Sequence, residues 1–365
     1  MIFAIRADAS IEIGSGHIIR CLSIADQLKA KGHQCFFISR NHDGNLVDFV
    51  TQRGYQTFIL ENDQENTELL LNTEYQKWLG VSEVYDAEQT LSLITAQYQK
   101  IDWVIVDHYG LSTKWETSLK KIAKHILVID DLANREHDAD IILDCGLINS
   151  EDDYNVLNKS QAKVLLGPKY ALLRPEFTEF RQKINLNKIE ESTQKLKLLI
   201  NLGGVDKDNL TTQILEVFEN TVLSYEIELT VIMGLNSPWK ECVIDKTKQL
   251  NYPAQVLVNV SNMAELMISH DFAIGAAGST AWERCCLGLP TIMICMAENQ
   301  KMIAKGLHDL GATISLDQTE IKTKLSIVLQ KIKPAQLRDM QRKSMQITEG
   351  LGVNLLINEI LRKSL

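Results

Sequence analysis

Short apolar runs, each followed by a segment with helical spacing, recur along the whole chain. This alternation restricts the fold more than any other feature. Ile2–Ala7 is one such run. Ile18, Leu22, Ala25 and Leu28 then recur at helical spacing, and Gly32 closes that helix. Gln34–Ser39, Trp103–Val106, Ile126–Ile129 and Ile141–Leu143 read as further strands. A charged stretch, Pro175 to Lys195, interrupts the pattern before it restarts at Leu196–Ile200. A helix carrying Leu210, Ile214, Val217 and Phe218 follows, then strands at Ile227–Met233, Gln255–Val258, Phe272–Ile274 and Thr291–Cys295. Strands separated by helices pair in parallel. The expected class is therefore α/β, with two Rossmann-like doubly wound domains facing a cleft. The first spans 1–174, a linker 175–195 and the second 196–335, with helices in 336–365 able to pack back on the first half. Ligands of such sheets sit beyond the carboxyl ends of the strands.

Composition removes other classes. With 45% hydrophobic and 23% charged residues, the 365-residue chain is neither disordered nor fibrous. Net charge is 38 − 47 = −9, which disfavours a general nucleic-acid partner. An anionic substrate would have to be held by local dipoles and a few cations. The most apolar stretch, Phe272–Ala297, is broken by Glu283 and Arg284, so no membrane span is expected. Arg6 and Asp8 fall where a secretory leader would stay apolar. Seven cysteines without a CxxC pair suit reduced thiols in a cytoplasmic protein, and no ligand-spaced cluster suggests a metal. The expectation is a cytoplasmic protein with no cofactor and no metal.

The segment from Arg6 to His17 links the first strand to the first helix. Gly14 and Gly16, flanking Ser15, let the backbone approach a ligand, and the helix start offers free N–H groups to a phosphate. A dinucleotide fingerprint would need glycine at Ile19 and an acid where Ser39 and Arg40 stand, so NAD is a poor reading; a Walker A pattern is absent. His17 opens the helix, where the dipole favours a neutral ring able to accept a proton, while Asp8 or a bound diphosphate would act the other way. General base and structural cap both stand open for His17, as do orienting His17, contacting substrate or making a turn for Asp8. Asp107-His108-Tyr109 follows the buried run WVIVD, and these residues are substrate-pocket candidates.

The second half repeats the glycine-after-strand design. Gly203 and Gly204 could face the other side of a diphosphate, although a tight turn is the commoner explanation. In Gly275–Glu283, Gly278, Ser279 and Thr280 end a strand and open a helix. Ser279 can cap that helix, and the Ser279 and Thr280 amides would point at an anion. Glu283, one turn on, could accept two ribose hydroxyls or simply complement the helix dipole. Asn299 and Gln300 follow another strand and could bind sugar substituents; Lys301 and Lys305 could add positive charge or form a solvated face. Asp130-Asp131 reads as a turn.

The segments RADASIEIGSGHIIRCLSIADQL, WVIVDHYGLSTKWE, VIDDLANREHDADIILD, KYALLRPEF and GAAGSTAWERCCLGLP together resemble the UDP-2,4-diacetamido-2,4,6-trideoxy-β-L-altropyranose hydrolases of bacterial pseudaminic acid synthesis. The resemblance runs in order along nearly the whole chain. It implies the glycosyltransferase-B architecture, a UDP-sugar substrate and water in place of an acceptor sugar. It places the family's catalytic histidine on His17, its uridine and ribose contacts on the block with Ser279 and Glu283, and its sugar-contacting amides on Asn299 and Gln300. Extra length around Gln64–Lys77 is expected to be peripheral. The expected reaction is metal-independent water attack at the anomeric carbon with inversion. Alternatives are an inverting glycosyltransferase of the same architecture, a non-catalytic nucleotide-sugar binding module, and a UDP-sugar 2-epimerase. No apolar or basic amphipathic segment suited to a lipid acceptor is seen in the first half.

Overall fold

A computed structural model describes residues 1–62, 74–184, 195–235 and 237–364. They divide into two compact units, Met1–Leu172 with Gly352–Leu365, and Leu173–Leu351.

The first unit holds seven strands: β1 Ile2–Ala7, β2 Gln34–Arg40, β3 Gln56–Leu60, β4 Ile101–Asp107, β5 Ala123–Ile129, β6 Ile141–Asp144 and β7 Lys163–Leu166. They pair in the order β3-β2-β1-β4-β5-β6-β7, every pair parallel. A parallel sheet buried on both faces must be apolar on alternate residues of each face. Accordingly Phe3, Ile5 and Ala7 join one core with Ile18, Leu22 and Leu28 of the helix Gly16–Ala30, while Ala4 joins the other with Trp115 and Leu119. The helix Gly352–Lys363 completes the first core through Val353, Leu356, Ile357 and Ile360.

The second unit carries β8 Lys195–Asn201, β9 Glu226–Met233, β10 Ala254–Val258, β11 Phe272–Ala276, β12 Thr291–Cys295 and β13 Thr313–Asp317. Their order is β10-β9-β8-β11-β12-β13, again wholly parallel. Each sheet reverses its winding once, between β1 and β4 in the first and between β8 and β11 in the second. In sheets of this kind the loops beyond such strand ends diverge, which is where ligands are held.

The division falls at Leu172–Leu173, ahead of the charged stretch assigned to a linker. Pro175–Arg181 is a helix of the second unit, where Arg181 Nη1 donates to the Cys286 carbonyl at 2.6 Å. Of the closing helices, Pro334–Met345 lies in the second unit and Gly352–Lys363 in the first. All seven cysteines are free thiols, five of them buried. Among the described residues no helix is long and apolar enough to cross a membrane.

Candidate active site

His17 lies in the first turn of the helix Gly16–Ala30, directly beyond β1. Gly14 makes the approach possible. Its φ of 78° is open to glycine, and its N–H donates to the Ser10 carbonyl at 2.8 Å. The Ser10 hydroxyl accepts from the N–H groups of Glu12 and Ile13, which fixes the loop. Ser15 occupies the N-cap position but makes no side-chain capping bond.

The His17 ring meets Asp107, the last residue of β4. Nδ1 lies 2.6 Å from Asp107 Oδ1. Arg20, one turn along the helix, donates from Nε to Oδ2 and from Nη2 to Oδ1, both at 2.6 Å. Burial alone would push the Asp107 carboxyl up, but the Arg20 guanidinium, followed by His17, holds it well below the usual carboxylate range. A carboxylate fixed in that way accepts from Nδ1–H, which leaves Nε2 as the bare nitrogen of the neutral ring. Tyr109 packs edge-on to His17 with centroids 4.9 Å apart, and its hydroxyl donates to Asp131 at 2.6 Å. Trp78 stands 6.5 Å from His17, and Tyr75 lies 5.1 Å from Trp78 and 5.2 Å from Tyr109. The result is an imidazole held from behind by an ion pair and walled by aromatic rings.

Asp8 does not orient His17. Its Oδ1 accepts from Arg6 Nη1 at 2.5 Å and from the Arg40 N–H at 2.7 Å. His108 turns to the Asp8 side, with Nε2 3.5 Å from Asp8 Oδ2. Asp107, expected in the substrate pocket, is instead committed to His17 and Arg20. Arg20, Tyr75, Trp78 and His42 carry no motif in the sequence, and Asp131 reads there only as part of a turn. The one signal for Arg20 is its spacing, three residues past His17 on the same helix face. Much of Gln64–Lys77 lies outside the described residues, yet its described end is not peripheral, since it supplies Tyr75.

In the second unit, Ser279 precedes the helix Thr280–Cys286 with helical backbone angles of −55° and −30° and makes no capping bond, contrary to the expected cap. The Thr280 hydroxyl accepts from Arg284 Nη1 at 3.0 Å, and Arg284 Nη2 donates to the Ala276 carbonyl at 2.5 Å. Gly275 makes room for that guanidinium: a Cβ there would stand 2.6 Å from Arg284 Nη1. Burial pushes the Glu283 carboxyl up to about 7 against the opposing pull of Arg174 and Arg284. Arg174 Nη2 is 3.9 Å from Glu283 Oε1.

Gln300 ends a short 3-10 turn with Asn299, its Oε1 accepting from the Met296 N–H at 3.1 Å and its Nε2 lying beside Gly278. Lys301 and Lys305 are exposed; Lys301 pairs with Glu298 of the preceding 3-10 turn and Lys305 with Asp309 of its own helix. Gly203 takes a φ of 97°, while Gly204 packs against Gly234 so closely that a Cβ at Gly234 would fall 1.9 Å from the Gly204 carbonyl oxygen. The next helix, Leu210–Glu219, already has an anion at its start. Asp206 accepts from the Leu210 and Thr211 amides at 2.9 Å each, so those two amides do not serve a diphosphate. Asp130 starts the expected turn and also pairs with Arg135 at 2.7 Å. No cluster of three or more metal-ligating side chains able to hold a metal ion occurs among the described residues.

Two parallel doubly wound units with a site beyond each sheet's reversal define the fold class of the glycosyltransferase-B enzymes. Residues 198–356 match the glycosyltransferase family 28 C-terminal domain. The fold superposes on MurG of Acinetobacter baumannii with a TM-score of 0.66 at 14% identity, covering 99% of each chain. In sequence the chain is similar to the UDP-2,4-diacetamido-2,4,6-trideoxy-β-L-altropyranose hydrolase of Campylobacter jejuni, 26% identical over 84% of this chain and 96% of that one. The spore coat polysaccharide biosynthesis protein SpsG of Bacillus subtilis is 25% identical over 89% of this chain and 86% of its own length. An uncharacterized protein of Methanocaldococcus jannaschii, MJ1062, is 25% identical over 82% of this chain, which spans 57% of that longer protein. The hydrolase resemblance carried by the motifs is borne out by these similarities.

Proposed function

We propose that the protein hydrolyses a UDP-sugar at the anomeric carbon, with UDP-2,4-diacetamido-2,4,6-trideoxy-β-L-altropyranose as substrate. One observation carries the reading. His17 stands at the mouth of a glycine turn beyond β1, with Nδ1 tied to Asp107 and Nε2 free. In this reading Nε2 takes a proton from water as the oxygen attacks C1 on the face opposite UDP, so the anomeric configuration inverts. The C1–O bond breaks and UDP leaves with both phosphorus atoms untouched. The start of the helix Gly16–Ala30 carries the negative charge that develops on the diphosphate. Glu283 as carboxylate accepts the ribose hydroxyls, and Asn299 and Gln300 contact sugar substituents. Because fixed dipoles meet the leaving charge, the reaction is proposed to run without a metal. Activity lost to a chelator and restored by magnesium would contradict that part.

Similarity to the Campylobacter hydrolase across 96% of that protein supports the substrate. The test is a panel of UDP-sugars followed by product NMR, which reads substrate, bond and anomer together. The expected product is free sugar of inverted configuration plus UDP; a product still carrying UDP would overturn the reading. The match to a glycosyltransferase C-terminal domain keeps a second reading in play, an inverting transferase. Slow UDP release that a hydroxyl acceptor accelerates would select it.

A further inference from the structure

Beside His17, three polar atoms converge without hydrogen-bond partners. Asp8 Oδ2, His108 Nε2 and His42 Nε2 are each buried and unpartnered. Asp8 Oδ2 lies 3.5 Å from His108 Nε2 and 3.7 Å from His42 Nε2, beyond good hydrogen-bond reach but close enough for one oxygen to bridge them from the side. The side chains of Asp8 and His108 are 0% and 2% exposed, and His42, at 13%, forms the edge open to solvent. Leaving such atoms bare is costly, so a site of this kind is shaped around an occupant.

The hydrogen bonds already made decide the class of occupant. His108 Nδ1 accepts from the Gly110 N–H at 3.0 Å, so in the neutral ring the proton sits on Nε2. Burial keeps the His108 ring neutral, pushing it down to about 3. A protonated nitrogen cannot ligate a cation, but it donates a hydrogen bond. Burial raises the Asp8 carboxyl, and the Arg6 guanidinium more than reverses this, so Oδ2 belongs to a carboxylate that only accepts. A donor facing an acceptor fits a group that accepts and donates through one oxygen, which is a hydroxyl.

In the hydrolase reading this position, next to the base, is that of the sugar. His108 stands between Asp107, which holds His17, and Tyr109, which packs on it. The His42 ring lies against Gly80, two residues past Trp78 of the aromatic wall; a Cβ on Gly80 would stand 3.2 Å from His42 Cε1. The proposed substrate has one free sugar hydroxyl. Carbons 2 and 4 carry acetamido groups, carbon 6 is deoxygenated, carbon 1 bears UDP and the carbon 5 oxygen closes the ring.

We propose that Asp8, His42 and His108 form a subsite that receives the 3-hydroxyl of the sugar, donating to it from His108 and accepting from it at Asp8. This inference rests on the hydrolase reading. The test is a cycle in the full-length chain, comparing kcat/KM on the parent UDP-sugar and on its 3-deoxy analogue. Wild type is expected to lose about 10- to 100-fold on the analogue. His108→Phe is expected to lose a similar factor on the parent and almost nothing further on the analogue. His42→Phe, at the open edge, runs the same cycle if His108→Phe does not fold. Penalties that simply multiply in both variants would mean a water occupies the site and would overturn the subsite while leaving the hydrolase reading intact. No UDP release from the parent by wild type would overturn that reading and the subsite with it.

Discussion

His17 donates from Nδ1 to a carboxylate that Arg20 already grips with two nitrogens, so the ring's tautomer is set from behind. Asp107→Asn keeps the shape but replaces a pure acceptor with a group that can donate, which favours the wrong tautomer. The expected outcome is a fall in kcat of about 10²- to 10⁴-fold, read by UDP release, in a variant that keeps the wild-type circular dichroism spectrum but melts at a lower temperature, because Arg20 loses its charge partner. Glu283 supplies a second expectation. With its carboxyl at about 7, the ionised acceptor form dominates above that pH and is lost below it. KM for the UDP-sugar should therefore rise by up to about tenfold between pH 8 and pH 6. Glu283→Gln should hold KM high and flat across that range; a wild-type KM insensitive to pH would remove Glu283 from ribose binding. In the sequence His17 is marked by the glycine turn before it, and Asp107 and Tyr109 by the apolar run that ends at them. Trp78 and His42 are not marked. They come from segments with no periodic pattern, and only the folded chain brings Trp78 to His17 and His42 to Asp8.

The central strands were read almost to the residue, since burial on both faces makes them continuous apolar runs. Three strands escaped: β3, β7 and β13, each at the edge of its sheet. An edge strand has fewer neighbours and tolerates polar or exposed side chains, as in β3, where Ile59 is 44% exposed. The second glycine turn reads as a phosphate site or, more commonly, a tight turn, because glycine marks only where the backbone bends. At Gly203-Gly204 the bend serves close packing on Gly234, and Asp206 caps the helix that follows. Asp206→Ala should remove both capping bonds and cost about 1–2 kcal/mol in denaturant unfolding. Nucleotide affinity that rises sharply in this variant would show that the Leu210 and Thr211 amides can serve a phosphate after all.

The chain leaves its first unit at Leu172 and returns to it at Gly352, so the first fold is complete only when the last helix is in place. Leu356, Ile357 and Ile360 are fully buried in the first core. Leu356→Ala should cost about 2–5 kcal/mol, seen as faster hydrogen exchange in β1 and β4 with β8 and β11 unchanged. Equal loosening of both sheets would mean that the two cores do not unfold as separate units. The alternation of strands and helices foretold two such units. The expectation that helices in 336–365 could pack back on the first half left open which of them does so, because an amphipathic helix of this kind records that it packs and not on what; Gly352–Lys363 joins the first unit and Pro334–Met345 the second. The central claim, that water activated by His17 attacks carbon and not phosphorus, is tested most directly by turnover in oxygen-18 water with mass spectrometry of the products. The account predicts label on the anomeric oxygen of the sugar and none in UDP. Label in UDP would contradict it.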